Sequence, residues 1–374
     1  MSRTFKAFSM DPKVHVPPQF PGATSDASRA RASRHGSAWI GPWFLPLAAL
    51  WSLVLAFRHL LYDLGLLTSQ TGALPTLVVG NAELGGTGKT PHVLDLARRL
   101  ESLLGTGAVG ILSRGYGRSS QDFQWVSQAS SWQEVGDEPW MMQSLLPSAP
   151  VAVGADRVRA LQRMAADRPE LRAVVLDDGL QHRALLPDLS IGLVSRPVPS
   201  RATGWAYVLP AGPWRDLPGR LQRCDRLVIT RPGAGAQERD SFWASRTRGI
   251  SVRPMGSLDH KVPRLDGTCL LVTGVAQPQR VWESAVELGV EIAGRAHYPD
   301  HHAFSTGDVE GWFMWMQANG VQSLLTTEKD AVRLSTVLTK AQREAMWVLP
   351  VEICWDRPEL VDDFLKSWAQ TLPS

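Results

Sequence analysis

The sequence predicts an α/β chain: a mostly parallel sheet with helices on both faces, an apolar helix before it, and a second, smaller α/β domain after it. Three observations carry this. Short apolar runs at 76–79, 108–112, 151–153, 173–176, 189–194 and 227–229 alternate with helical patterns, as parallel strands buried on both faces require. Residues 36–57 are 22 consecutive uncharged positions, long enough to cross a bilayer. After an Arg-, Gly- and Pro-rich lapse, the alternation resumes with "CLLVTG" and "QRVWESAVELG". At 374 residues and 44% hydrophobic content, the chain can support two domains with real cores.

Residues 1–35 are rich in Pro, Ser, Ala and Arg without periodicity and read as a disordered basic tail. Residues 1–36 hold six Lys/Arg against two Asp/Glu, which leaves the remainder slightly acidic. That balance excludes a nucleic-acid-binding body, which carries a basic stripe. Residues 36–67 read as a membrane-associated helix. Pro42 and Pro46 interrupt it, and basic residues flank both ends (Arg29, Arg31 and Arg34; Arg58 and His59), so neither orientation is favoured. Trp39, Trp43 and Trp51 are of the type that settles at a lipid–water interface. A buried core helix is the alternative, and no small-residue cleavage site follows that would make it a signal peptide.

The main domain is expected over 68–248, where "TPHVLDLARRL" places Val93, Leu96, Ala97 and Leu100 on one helical face. The smaller domain is expected over 249–374, including a closing helix, "PELVDDFLKSWAQ". Cys224, Cys269 and Cys354 lie far apart and form neither a metal spacing nor a disulfide framework.

The stretch that carries chemistry is "GNAELGGTGKTP", 80–91, directly after the first apolar run. Its ending, Gly85, Gly86, Thr87, Gly88, Lys89 and Thr90, reads as a P-loop. Successive N–H groups cradle phosphates, the lysine reaches the terminal ones, and the final hydroxyl binds Mg²⁺ at a helix N-terminus. Glu83 stands where the strict pattern has glycine. A second run ends in Asp177 and Asp178, placed as the acidic partners of Mg²⁺ beside a nucleotide. Together these predict a P-loop NTPase-like fold that uses a nucleoside triphosphate and Mg²⁺, as either a triphosphatase or a kinase. No N-K-x-D or L-S-G-G-Q motif occurs, which disfavours a GTPase switch and a transporter subunit.

"GNAELGGTGKTP", "SRGYG" (113–117), "GDEP" (136–139), "DDGLQH" (177–182), "LPAGPWRD" (209–216), "PDHHAF" (299–304) and "TTEKDAVRL" (326–334) occur in that order. The series resembles that of the tetraacyldisaccharide 4′-kinases of Gram-negative lipid A biosynthesis, over roughly residues 38–355. The resemblance implies transfer of the ATP γ-phosphate to the 4′-hydroxyl of an acylated glucosamine disaccharide 1-phosphate. The product would be lipid IV-A, made at the cytoplasmic face of the bacterial inner membrane, and no obligate protein partner is inferred. It also implies that Lys89 contacts the transferring phosphate, and that Thr90 with Asp177 or Asp178 holds the metal. Asp137 and His301 become a catalytic pair drawn from the two domains, which requires a closed interdomain cleft. An Asp/His pair suits the task, since a sugar hydroxyl is a poor nucleophile that needs its proton accepted.

Each residue alone has a plainer reading, Asp137 as a helix cap and His301 as one of three surface histidines with His297 and His302. Arg114, Glu138 and Arg215 are expected near the substrate, the arginines on its existing phosphate or on charge that builds on the transferred one. Seven arginines against two acidic residues between Arg196 and Arg231 suit an anionic lipid surface or a solvated loop. Two departures stand out, Asp216 where the family usually has Glu and Leu180 where it has Phe. The rival from another class is a membrane-anchored, metallochaperone-like ATPase switch, for which the cysteines offer no relay.

Overall fold

The computed structural model describes residues 42–84, 86–195, 198, 203–230, 242–257 and 265–373. The predicted tail, residues 36–41 of the apolar segment and Gly85 of the glycine-rich loop lie outside them. Over the described residues the chain forms two compact units. One runs to Ile250 and resumes at Val351; the other is Ser251–Pro350.

The first unit opens with helix α1 (Leu45–Asp63). Strands β1 (Thr76–Asn81), β2 (Val109–Ser113), β3 (Gln124–Trp125), β4 (Val151–Val153), β5 (Ala173–Asp177), β6 (Leu189–Val194), β7 (Arg226–Ile229) and β8 (Phe242–Gly249) follow. Helices α2 (Lys89–Leu104), α3 (Asp137–Leu145) and α4 (Arg157–Asp167) intervene. The second unit contains β9 (Arg253–Pro254), β10 (Thr268–Thr273), β11 (Glu291–His297), β12 (Ser323–Thr327) and β13 (Met346–Leu349), with α5 (Pro278–Glu287), α6 (Thr306–Ala318) and α7 (Glu328–Leu334). The chain then returns to the first unit as β14 (Val351–Trp355) and α8 (Pro358–Ala369).

The large sheet is nine-stranded, in the order β14-β8-β7-β6-β1-β5-β2-β4-β3. Its pairings are parallel except at the two edges, β8–β14 and β4–β3. Period-two alternation divides its side chains between two cores. Leu77, Val79, Ile111 and Val175 face a cluster with Val93, Leu96, Ala97 and Leu100 of α2 and Val361, Leu365 and Trp368 of α8. Val78, Leu112, Val174 and Leu176 face the other way, onto Ala160, Leu161 and Met164 of α4. Strands buried on both faces become apolar runs, which is why the sequence showed them.

The closing strand and helix correct the sequence reading. Residues 351–373 belong to the large sheet, not to the smaller domain, because β14 pairs antiparallel with β8 from Ser245↔Trp355 to Gly249↔Val351. The smaller unit has a five-stranded sheet, β9-β13-β12-β10-β11. Its core includes Leu270, Tyr298, Trp312 and Leu324.

Helix α1 is, among the described residues, the one helix long and apolar enough to cross a membrane. It buries Ala48, Ser52, Leu55 and His59, a single stripe at helical spacing. Leu47, Leu50, Leu53, Val54, Phe57 and Leu60 are exposed around the rest. So broad an unpartnered apolar surface marks an interaction face.

Candidate active site

Strand β1 sits where the sheet order reverses direction, with β5 on one side and β6 on the other. In open α/β sheets, ligands bind outside the carboxyl ends of strands at such a switch point. The glycine-rich loop leaves β1 there. Gly88 caps α2 at φ 78°, a left-handed conformation that glycine adopts without strain. The next residues, Lys89 and Thr90, begin the helix. His92 locks this first turn: its Nδ1 donates to the Gly88 carbonyl at 2.6 Å, and its Nε2 accepts from the Ser245 hydroxyl at 2.9 Å. Burial lowers the His92 pKa to about 4, which keeps the ring neutral for both bonds.

Asn81, at the end of β1, organises the loop. Its amide donates to Thr87 Oγ1 at 2.8 Å and its oxygen accepts from Lys89 Nζ at 3.2 Å. Lys89 Nζ also stands 3.8 Å from Asp178. Arg215 grips the Asp178 carboxylate with both terminal nitrogens, at 3.1 and 3.0 Å, and donates to the Asn81 carbonyl at 3.0 Å. Burial raises the Asp178 pKa, but Lys89 and Arg215 outweigh it and hold the group below its ordinary value. Asp178 adopts φ 54°, a strained backbone for a non-glycine residue.

Asp177 differs. It is buried at the end of β5, and Ser113 Oγ donates to its Oδ2 at 2.9 Å. Its Oδ1 is buried with no partner. Burial, followed by repulsion from Glu138 and Asp178, pushes its carboxyl up to about 7. An orphaned carboxylate oxygen beside a second carboxylate is the donor set a hard divalent cation completes. Mg²⁺ typically takes only one or two protein carboxylates and fills its octahedron with water and phosphate oxygens.

Glu83 explains its own departure from the glycine pattern. It is 1% exposed, and its carboxylate accepts from Ser195 N at 2.9 Å and Ser195 Oγ at 2.6 Å. The glutamate pins the start of the loop to the end of β6. Asp216 is likewise directed away from the carboxylate pair, accepting from His59 Nε2 of α1 at 2.7 Å.

Arg114 follows β2 as an exposed residue. A Cβ on Gly115 would lie 2.8 Å from the Val135 carbonyl, so this loop packs closely on the turn before α3. That turn ends at Gly136, φ 95°, and delivers Asp137 and Glu138 to the start of α3. Asp137 is buried, its Oδ1 accepts from Glu138 N at 2.9 Å, and it is not the N-cap, a position that falls on Gly136.

Sequence reasoning missed two residues here. Arg157 is 2% exposed, donates to the Gly154 and Ala155 carbonyls, and has a buried Nε without a partner. Burial lowers its pKa to about 10, with Asp177 and Asp178 opposing and Arg114 and Arg118 assisting. His182 has a buried, unpartnered Nε2, and burial and Arg157 lower its pKa. Arg157 carried no sequence signal, since an arginine after a helix-capping aspartate is ordinarily solvated, and His182 entered only as the last residue of "DDGLQH", with no role of its own.

In the smaller unit, His297 and the two "PDHHAF" histidines separate by environment. His297 is buried, not on the surface as expected, with Nδ1 2.8 Å from Thr273 Oγ1. His302 stacks on Tyr298 at 4.5 Å. His301 has φ 60° and accepts at Nε2 from Lys329 Nζ at 3.0 Å. The cysteines are free, and burial pushes the Cys224 and Cys269 thiols up to about 12, which disfavours a metal relay.

A family model described as "Tetraacyldisaccharide-1-P 4'-kinase" matches residues 40–369. The tetraacyldisaccharide 4'-kinase of Chromobacterium violaceum is 32% identical over 335 residues, 84% of this chain and 90% of that protein. Its namesake from Polaromonas naphthalenivorans is 35% identical over 309 residues, 79% of this chain and 82% of that one. Among solved structures, the "apo" form of LpxK from Aquifex aeolicus in complex with ATP aligns with a TM-score of 0.69. It is 27% identical, over 87% of this chain and 98% of that one.

Proposed function

This chain belongs to the tetraacyldisaccharide-1-P 4'-kinase family, and from that premise we propose how its own residues perform the reaction. It transfers the γ-phosphate of ATP to the 4'-hydroxyl of tetraacyldisaccharide 1-phosphate, giving lipid IV-A in lipid A biosynthesis. The loop 80–90 acts as a P-loop. Its N–H groups and Lys89 hold the phosphates, while Arg215, now on Asp178, is near enough to meet charge that builds on the transferred group. Thr90, Asp177 and Asp178 would hold Mg²⁺, which would neutralise phosphate charge when bound. The observation that carries this reading is the orphaned Asp177 oxygen beside Lys89 and Asp178 at the switch point.

Asp137, with His301 as its partner, takes the proton from the 4'-hydroxyl. His301 supports that role by its outlying backbone, because strain of this kind clusters at functional sites. Arg114, Arg157 and Glu138 orient the acceptor. Helix α1 lies in the interface of the cytoplasmic leaflet. Hydrogen bonds from Ser52, Arg58 and His59 dock it along its length, so its opposite, apolar face meets the acyl region.

Purified protein with Mg·ATP and tetraacyldisaccharide 1-phosphate should yield a product heavier by one phosphoryl group, carried on the distal sugar. ATP consumption independent of the disaccharide would sink the proposal.

A further inference from the structure

We propose that His59 of α1 is a positioning residue for the phosphate site: by holding Asp216, it fixes the turn that aims Arg215 at Asp178. This rests on the reading of that site as the kinase centre.

The turn is anchored at both ends. On its N-terminal side the anchors are backbone groups: Arg215 N donates to Ala82 O and Leu84 N to Pro213 O, both at 2.7 Å. Gly212 is pressed so closely on Tyr207 that an added Cβ would lie 2.1 Å from the Tyr207 carbonyl oxygen. On its C-terminal side the anchor is the Asp216 carboxylate. Its Oδ1 accepts from Leu217 N and from His59 Nε2, each at 2.7 Å. Asp216 and His59 are both 4% exposed.

The imidazole is fixed from its other edge. Arg183 Nη1 lies 3.3 Å from His59 Nδ1, and a guanidinium can only donate, so the ring proton sits on Nε2 and points at Asp216. Arg183 is itself bound to Asp63 at 2.8 Å. A second tie runs alongside. Arg58 Nη2 donates to Gln181 O at 3.1 Å, and Gln181 Nε2 donates to the Asn81 carbonyl at 2.8 Å, beside Lys89 and Arg215. The helix with the exposed apolar face therefore supplies side chains one residue removed from the phosphate-binding groups. Its seating sets their geometry.

The test is His59→Leu in the full chain. Expected are a loss in kcat of about tenfold or more, KM for ATP within about threefold, and unchanged co-sedimentation with phosphatidylglycerol/phosphatidylethanolamine vesicles. His59→Gln, whose amide donates to Asp216 and whose oxygen accepts from Arg183, should restore most of the rate. Amide exchange at 214–217 should accelerate about tenfold or more in His59→Leu, with β1 and β5 unchanged. A role in docking alone predicts instead a lower Tm, weaker vesicle association and no rescue by glutamine; that pattern, or an unchanged kcat, overturns the inference. Should His59→Leu fail to fold, Asp216→Ala, which removes the oxygen that accepts from both His59 Nε2 and Leu217 N, carries the test with the same expected loss, and an unchanged kcat in it overturns the inference. The exchange readout needs no turnover. An inactive wild type would therefore refute the functional reading, whereas unaltered exchange at 214–217 in His59→Leu would refute the positioning role by itself.

Discussion

Replacing Asp177 by asparagine should make the protein more stable in alkaline solution while abolishing its activity. The unfolded carboxyl ionises near its ordinary 3.8, whereas the buried one is pushed up to about 7. Between those values the folded state holds a proton that the unfolded state has lost. Native stability therefore falls as pH rises through the interval, and the full cost is present above about pH 7. Raising a carboxyl that far corresponds to about 4 kcal/mol. The asparagine oxygen can still accept from Ser113, but its amide nitrogen would sit where Oδ1 has no partner, returning about 1–3 kcal/mol as an unsatisfied donor. The net gain is about 1–3 kcal/mol at pH 8 and none at pH 5, where wild-type Asp177 is protonated. Thermal unfolding at the two pH values reads it as a rise of a few degrees at pH 8 only. Wild type should be stabilised further by Mg·ATP and the variant by clearly less at the same concentration, while turnover falls by about 10²-fold or more. Equal melting temperatures at pH 8, or a variant that responds to Mg·ATP as strongly as wild type, would refute the reasoning.

Three other expectations follow from the same geometry. Glu83→Gly restores the strict glycine pattern of the loop, yet it should destabilise by about 2–4 kcal/mol, because Ser195 N and Oγ lose a buried carboxylate; denaturant unfolding measures this, and a neutral result would deny Glu83 its anchoring role. Leu50→Glu with Leu53→Glu and Phe57→Glu should release the protein from anionic vesicles without lowering Tm, since all three are exposed; retention on vesicles would place the membrane contact elsewhere. Asp137→Ala and His301→Ala should each lower turnover by about 10²–10⁴-fold, and the double variant should be little worse than the poorer single one; multiplying losses would mean that the two act independently.

How much of this was legible depends on what each residue does to its local pattern. The central strands and α2 were readable because burial on two faces turns a strand into an apolar run, and packing on one face gives a helix its stripe. Val93, Leu96, Ala97 and Leu100 are all fully buried. The assignment of 351–373 failed because β14 pairs with a strand more than a hundred residues earlier, and no local pattern encodes a partner. At the site, Lys89, Asp177 and Asp178 were visible because a glycine-rich loop that opens a helix with lysine, and a carboxylate pair that closes a strand, each leave a local pattern. Arg157 was not, and His182 was read only as the end of "DDGLQH", since the significance of both lies in burial among charged groups that tertiary structure brings near. Asp216 was noticed only as a departure, and His59 only as part of a basic flank; the bond between them spans 157 positions.

The account stands most directly on Mg·ATP occupying the site at the ends of β1 and β5, and calorimetric titration of the purified protein measures that. One nucleotide should bind per chain to wild type and to Asp137→Ala, whose side chain is assigned to the acceptor hydroxyl. Lys89→Ala and Asp177→Asn should each weaken binding by about 10-fold or more, with their folds intact by circular dichroism. Undiminished Mg·ATP affinity in both of those variants would contradict it.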